Sequence, residues 1–304
     1  MREIRIPAFA KVNLRLDILG KRPDNYHELR TIFQTISLHD ELRLRASKNS
    51  AISLTIQGND TLSLEPVRKN LVYAAVDALR RELGIRSGVE IGLRKNIPAG
   101  RGLGGGSSDA AAALRGYLRL TRSTIPDGKL IEIAASLGAD VPFFLLGGRA
   151  LGIGRGDEIY PLPDIPRLTL LVVSPHDVHV PTPDAYRWLR APALTKNRAA
   201  SKLWKFCSLC WSLPAVAGAH EIGLSNDFEG PVFQRHPQLA GIKRALLQRG
   251  ATEASLAGSG SAVFGVFPSP ALARRAAVGF QDEQTFVCET ISRDRYLRKV
   301  NSAP

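Results

Sequence analysis

The sequence predicts an α+β protein of two domains, residues 1–163 and 164–304. Three observations lead there. A chain of 304 residues exceeds one typical domain. Pro161, Pro163 and Pro166 put three prolines into six residues of PLPDIPRL, which reads as a linker. Beyond it, once the stretch between 175 and 235 is set aside, the elements run β-α-β-β-α-β, the ferredoxin-like order.

In chain order, residues 3–19 read as a strand, with Ile4, Ile6, Val12, Leu14, Leu16 and Ile18 in near alternation. Lys11 and Asn13, two apart, share its other face. GKRPDNYHEL is a turn that carries Tyr26 and His27. Strands follow around 31–37, 41–46 and 51–56. Asn70 caps a helix over 71–83 and Gly84 stops it. Residues 88–94 form a strand, and Lys95-Asn96 leads into a glycine loop and an alanine-rich helix. A helix over 128–137 is broken at Gly138-Ala139-Asp140-Val141-Pro142. LLGGRALGIGRGDEIYPL is a hairpin with glycine turns.

The second half contains a strand at 168–174, a helix at 183–190 and an aliphatic-aromatic helix near 199–213. Helices near 227–234 and 236–249, strands at 252–257 and 261–267, a helix at 270–280 and a strand at 285–291 complete it. Cys207 and Cys210 form a C-x-x-C without a second pair or a nearby histidine, so a zinc site is disfavoured. Leu203, Phe206, Cys210 and Leu213 recur at helical spacing and, with Trp204 and Trp211, read as a packing face.

Composition narrows the class. With 44% hydrophobic and 23% charged residues the chain is an ordinary globular one. No apolar run reaches the ~20 residues of a membrane span, and the alternating start is unlike a signal peptide. Three cysteines make no disulfide framework. A cytoplasmic protein without a membrane partner is expected. The net charge of +13 favours anionic partners. Nucleic acid is disfavoured, because there is no lysine-rich tail and no interleaved basic-aromatic segment. Phosphate-bearing metabolites remain, and the chain is expected to be a monomer or a homodimer.

The densest chemical signal is Asn96–Leu114, NIPAGRGLGGGSSDAAAAL. Gly100, Gly102, Gly104, Gly105 and Gly106 fall within seven residues, followed by Ser107, Ser108, Asp109 and four alanines. Glycines let backbone N–H groups converge on a ligand, Ser107 or Ser108 suits a helix cap, and a helix N-terminus attracts anions. Asp109, in the first turn, reads as offsetting the helix dipole. The Walker pattern is absent. The dinucleotide fingerprint fits Gly100, Gly102 and Gly105 but lacks a second strand ending in an acidic residue about 20 positions on. Alone, the loop says phosphate and no more.

Pro98 to Ala111, P-x-x-x-G-L-G-G-G-S-S-D-A-A, resembles the second motif of the GHMP kinases. AFAKVNLRLDIL, Ala8 to Leu19, resembles their first motif, and LAGSGSAVFGVF, Leu256 to Phe267, their third. Three details resemble one branch, the 4-diphosphocytidyl-2-C-methyl-D-erythritol kinases: the start through Tyr26-His27, the three-glycine loop with Asp109, and GADVPFFLLGG. The Tyr26-His27 turn and that loop speak against the homoserine and mevalonate kinases. The departures are Asn25 in place of glycine, Arg101 in place of a small residue, and the segment 199–216. Arg101 points either to the nucleotide or to solvent.

The resemblance implies a two-domain GHMP kinase fold, with a ribosomal-protein-S5-domain-2-like N-terminal domain and a ferredoxin-like C-terminal domain. It implies phosphoryl transfer from ATP, with Mg2+, to the 2-hydroxyl of a cytidine-diphosphate-linked methylerythritol of the non-mevalonate isoprenoid route. Lys11 and Asp140 would be catalytic. Lys95, Asn96, Pro98, Ala99, Gly100, Arg101, Gly102, Leu103, Gly104, Gly105, Gly106, Ser107 and Ser108 would hold ATP, with Gly258 and Ser259 of the late loop. Ser107 or Ser108 is the candidate protein oxygen for the metal. Asn13, Tyr26, His27, Asp140, Thr182, Pro183 and Tyr186 would bind the substrate, and Asn226-Asp227 match the family's Ser-Asn-Asp segment on that side.

Overall fold

The first strand sets the architecture. In the computed structural model, which describes residues 2–58, 67–195 and 222–302, β1 (Glu3–Lys21) and β2 (His27–Ser47) form one long antiparallel hairpin. The strands expected at 31–37 and 41–46 are therefore a single strand. β1 offers it an unbroken partner, and register shifts after Phe9, Asn13 and Ile18 absorb irregularity without ending the pairing. β3 (Ile52–Gln57) and β4 (Gly88–Arg94) extend the sheet beyond the far half of β2, with β3 parallel to β4. β5 (Arg149–Ile153) and β6 (Glu158–Pro161) form the expected hairpin, which joins the near half of β2 through β5.

Helices α1 (Leu71–Leu83) and α2 (Gly105–Thr121) pack against this sheet around Ile4, Ile6, Phe9, Leu42 and Leu44. Asn70 accepts a hydrogen bond from Val72 N–H, and Gly84, at φ 64°, ends α1, both as the sequence predicts. α3 (Asp127–Leu137) and α4 (Val141–Leu146) close the layer, with Val141, Phe143 and Phe144 buried in the same core.

After the proline-rich segment a second sheet begins. β7 (Thr169–Ser174) is followed by α5 (Thr182–Leu189) and by β8 (Ser225–Asn226), which returns to pair with β1. α6 (Glu229–Arg235), α7 (Pro237–Gln248), β9 (Glu253–Leu256), β10 (Val263–Phe267), α8 (Pro270–Ala277) and β11 (Gln284–Glu289) follow. The sheet order is β11-β7-β10-β9 with every neighbour antiparallel, which is the ferredoxin-like arrangement. The helix expected near 199–213, with Cys207, Cys210, Trp204 and Trp211, lies outside the described residues. Among the described residues no helix is long and apolar enough to cross a membrane.

A last helix, α9 (Arg293–Asn301), was not expected. Ser292 caps it by accepting from Arg295 N–H. It lies against the first sheet, not the second: Tyr296 and Val300 join the core around Phe9, and the Tyr296 hydroxyl donates to the Phe144 carbonyl. The Ile291 N–H donates to the Thr35 carbonyl at 2.9 Å. The signal was faint, two apolar residues four apart in a charged segment, which makes a narrow buried stripe.

β1 runs between these layers. Every residue from Ala8 to Gly20 is buried. Ile4, Ile6 and Phe9 serve the first core, Ala10, Val12 and Leu14 pack with Leu170, Val172 and Phe264, and Leu16 and Ile18 pack with Val173 and Phe228. If Tyr296 ties α9 to the first core as described, Tyr296→Ala lowers the unfolding free energy by about 3–5 kcal/mol. Tyr296→Phe, which removes only the hydroxyl, costs about 1 kcal/mol, both measured by urea denaturation.

Candidate active site

Between β4 and α2 the chain turns with positive φ at Gly100 (67°), Gly102 (78°) and Gly104 (72°). Side chains are also excluded by space: a Cβ on Gly102 would stand 1.8 Å from the Ala257 carbonyl oxygen, and one on Gly104 2.8 Å from the Phe144 ring. Gly104 is the N-cap and α2 starts at Gly105, so Ser107 and Ser108 lie inside the first turn and cap nothing. A serine cap needs extended backbone, and here the left-handed glycine swings the chain straight from loop to helix. The Ser108 hydroxyl is buried without a hydrogen-bond partner, and Ser107 is half-buried.

The late loop between β9 and β10 meets this one backbone to backbone. A Cβ on Gly258 would lie 3.0 Å from the Gly102 carbonyl oxygen and 3.3 Å from Lys11 Nζ. The Ala262 N–H donates to the Arg101 carbonyl at 3.2 Å. Asn226 shapes the late loop from beneath: its Nδ2 donates to the Leu256 and Gly258 carbonyls, each at 2.8 Å, while Oδ1 accepts from Phe228 N–H at 2.9 Å. Asp227 accepts from the Ile18 N–H at 2.8 Å. The Asn226-Asp227 pair thus engages backbone, with Asn226 holding the loop and Asp227 holding β1.

Lys11 stands where the two loops meet. The β1–β2 register shifts between Phe9 and Lys11, and the Lys11 N–H donates to the Leu103 carbonyl at 3.0 Å, which ties β1 to the glycine loop. Lys11 is 4% exposed; its ammonium donates to Asn13 Oδ1 at 2.7 Å and lies 3.4 Å from Asp140 Oδ2 and 5.4 Å from the centre of the Phe33 ring. Asn13 is held in turn, its Nδ2 donating to Thr31 Oγ1 at 2.7 Å. Asp140 sits just before α4 and keeps a third of its side chain exposed.

The expected substrate residues divide into two groups. The His27 ring stacks on Tyr186 (centroids 4.6 Å apart, planes at 23°), and Tyr186 meets Phe228 edge-on at 4.9 Å. Burial, with Lys21 nearby, lowers the His27 pKa below its ordinary 6.5, so the ring is neutral at pH 7 and keeps one nitrogen as an acceptor. Burial, and then the Asp140 carboxylate, raise the Tyr186 phenol. Tyr26 does not join this stack; it is 55% exposed, and the Arg155 guanidinium lies 4.8 Å from its ring centre, itself fixed by Asp157. Thr182 Oγ1 and Ser259 Oγ are 3.0 Å apart, joining α5 to the late loop, and Pro183 occupies the first turn of α5.

Comparison with known proteins bears on this arrangement. Family models for the GHMP kinases N terminal domain and the GHMP kinases C terminal match residues 70–148 and 215–283. A 4-diphosphocytidyl-2-C-methyl-D-erythritol kinase of Solibacter usitatus is 45% identical over 298 residues, covering 97% of this chain and 91% of its own. The enzyme of that name from Pelotomaculum thermopropionicum is 40% identical over 94% of this chain and 97% of its own. The chain belongs to the GHMP kinase family, in the 4-diphosphocytidyl-2-C-methyl-D-erythritol kinase branch. A crystal structure of a 4-(cytidine 5'-diphospho)-2C-methyl-D-erythritol kinase, 34% identical, superimposes with a TM-score of 0.76 over 94% of this chain and 99% of that one.

One part of this GHMP kinase escaped the sequence reading. Lys95, expected at the nucleotide, is a 7% exposed residue whose ammonium lies between two buried carboxyl groups, Asp40 and Asp109, the second at 2.6 Å. The other oxygen of Asp40 accepts the N–H groups of Asn96 (2.5 Å) and Ile97 (2.7 Å), and the Asn96 side chain donates to the His39 carbonyl at 2.9 Å. Asp109 is therefore no solvent-facing partner of the helix dipole but part of a buried cluster under the loop. Asp40 carries no motif, being one acidic residue among strand residues, and only the fold brings it to the loop.

Burial, reinforced by Asp40 and opposed by Lys95, pushes the Asp109 carboxyl from its ordinary 3.8 up to about 8. A raised carboxyl pKa stabilises the fold fully below about pH 4, and that contribution is lost as pH rises through about 8. Asp109→Asn, which imitates the neutral acid, should match the parent below about pH 4 and, having lost none of this contribution between pH ~4 and ~8, should be the more stable of the two at pH 7. A loss of about 3–5 kcal/mol at neutral pH, followed by thermal melting, would show instead that Lys95 needs the charge.

Proposed function

We propose that this chain transfers the γ-phosphoryl group of ATP to the 2-hydroxyl of 4-diphosphocytidyl-2-C-methyl-D-erythritol, in the methylerythritol phosphate route to isoprenoid precursors. The observation that carries the chemistry is the Lys11–Asp140 pair, 3.4 Å apart and set against the glycines of both loops. Backbone N–H groups from Gly102 to Ser108 hold the β- and γ-phosphates, with the dipole of α2 behind them. The hydroxyl oxygen attacks the γ-phosphorus in line with the oxygen that bridges to the β-phosphate; that bond breaks and ADP leaves. Asp140 takes the hydroxyl proton, and Lys11, fixed by Asn13, neutralises charge on the group in transit.

Magnesium fits as an ion carried mainly by the nucleotide phosphates, because that mode needs few protein ligands. Ser108, whose buried hydroxyl has no other partner, or Ser107 would supply an oxygen, and the ion would offset phosphate charge. Tyr26 offers its open ring face to the cytosine, the neutral His27 hydrogen-bonds its polar edge, and Thr182, Pro183 and Tyr186 form the opposite wall. The same reading divides the chain at residue 163, supported by the change of sheet after Pro161, and places the protein in the cytoplasm as a monomer or homodimer.

Lys11→Met and Asp140→Asn keep side-chain volume and should each lower kcat at least ~10²–10³-fold, with circular dichroism unchanged. Near-normal single-turnover rates in either would remove that residue from the mechanism. The substrate is tested by ADP release from ATP with the cytidylyl alcohol, homoserine and mevalonate offered separately. Turnover of homoserine or mevalonate without the cytidylyl compound would overturn the assignment.

A further inference from the structure

Arg101 stands in the phosphate loop where the family's motif carries a small residue; it is half-buried, and its guanidinium reaches across to the late loop and the segment after β7. Its Nη1 donates to Ser261 Oγ at 2.7 Å and its Nη2 to the His176 carbonyl at 3.0 Å. The hydroxyl of Ser261, fully buried, donates to the Val178 carbonyl at 2.5 Å. The Arg101 carbonyl accepts from Ala262 N–H at 3.2 Å. The His176 N–H donates to Glu283 at 3.0 Å, which brings a carboxylate near the guanidinium. One residue of the phosphate loop is thus bound through main chain and side chain to the late loop and to the segment after β7.

We propose that Arg101 is a positioning residue, a clasp that holds the phosphate loop on the late loop so that the ATP cradle stands assembled before nucleotide arrives. Glycine-rich backbone loses much entropy on ordering. Without a clasp that loss falls on ATP binding, and the apparent affinity drops with the fraction of chains holding the competent loop. The fork of a guanidinium suits two acceptors on separate segments, as a single ammonium does not. The clasp rests on the reading of the loop as an ATP cradle.

The test is steady-state kinetics of the full chain as Arg101→Ala, Ser261→Ala and the double variant, with Arg101→Lys and His176→Ala beside them. KM for ATP should rise about tenfold in Arg101→Ala and less in Ser261→Ala, since hydrogen bonds to charged groups have about that weight. KM for the alcohol should move less than about twofold, and the effect in the double variant should fall short of the product of the two single effects, because the two side chains share one bond. Arg101→Lys should recover only part of the loss. His176→Ala, whose bond runs through the carbonyl, should match the parent. With ATP turned over normally by the parent, an unchanged KM for ATP in Arg101→Ala overturns the clasp. Effects that multiply in the double variant overturn it as well and put Arg101 directly on the nucleotide. A parent chain that turns over no ATP overturns the kinase reading itself.

Discussion

A strand buried on both faces is the constraint on which the rest of the structure depends. From Ala8 to Gly20 no residue of β1 reaches solvent freely, so any polar group placed there must find partners within the protein. Lys11 finds them in Asn13 and Asp140, and its main chain finds one in the glycine loop. The lysine is therefore oriented by the same packing that joins the two sheets. A break in that packing would unseat the ammonium.

The two buried lysines show how completeness of pairing separates support from chemistry. Lys95 donates to two buried carboxyl groups, those of Asp40 and Asp109, leaving its ammonium committed to the segment that opens the glycine loop. Lys11 meets one amide oxygen and one partly exposed carboxylate. Taking a lone ammonium out of water is costly unless it is fully paired, and the incomplete pairing of Lys11 leaves capacity for an anionic ligand. Both side chains lie under the same loop, yet only one has a reason to wait for a phosphate.

Much of this was legible from local pattern. The period-two rule put Lys11 and Asn13 on one face, and a cap and a left-handed glycine bounded α1 at Asn70 and Gly84. The approach of Asp140 to Lys11 came from family resemblance; nothing in spacing alone unites residues so far apart. The rest was hidden by distance along the chain. Asp40 and Lys95 are 55 residues apart, and Arg101 and Ser261 are 160 apart. The serine cap failed for a local reason, since Ser107 and Ser108 obey the preference of capping residues while the glycines before them obey the tighter demand of close approach.

The return of α9 to the first core has a consequence for how the chain is made. Ile291, Tyr296 and Val300 complete a core that begins with Ile4 and Phe9. The first sheet therefore cannot reach its final packing while the ribosome is still translating the second half. Until residues 291–300 are in place, the apolar seam beside Phe9 and Phe144 lacks its cover.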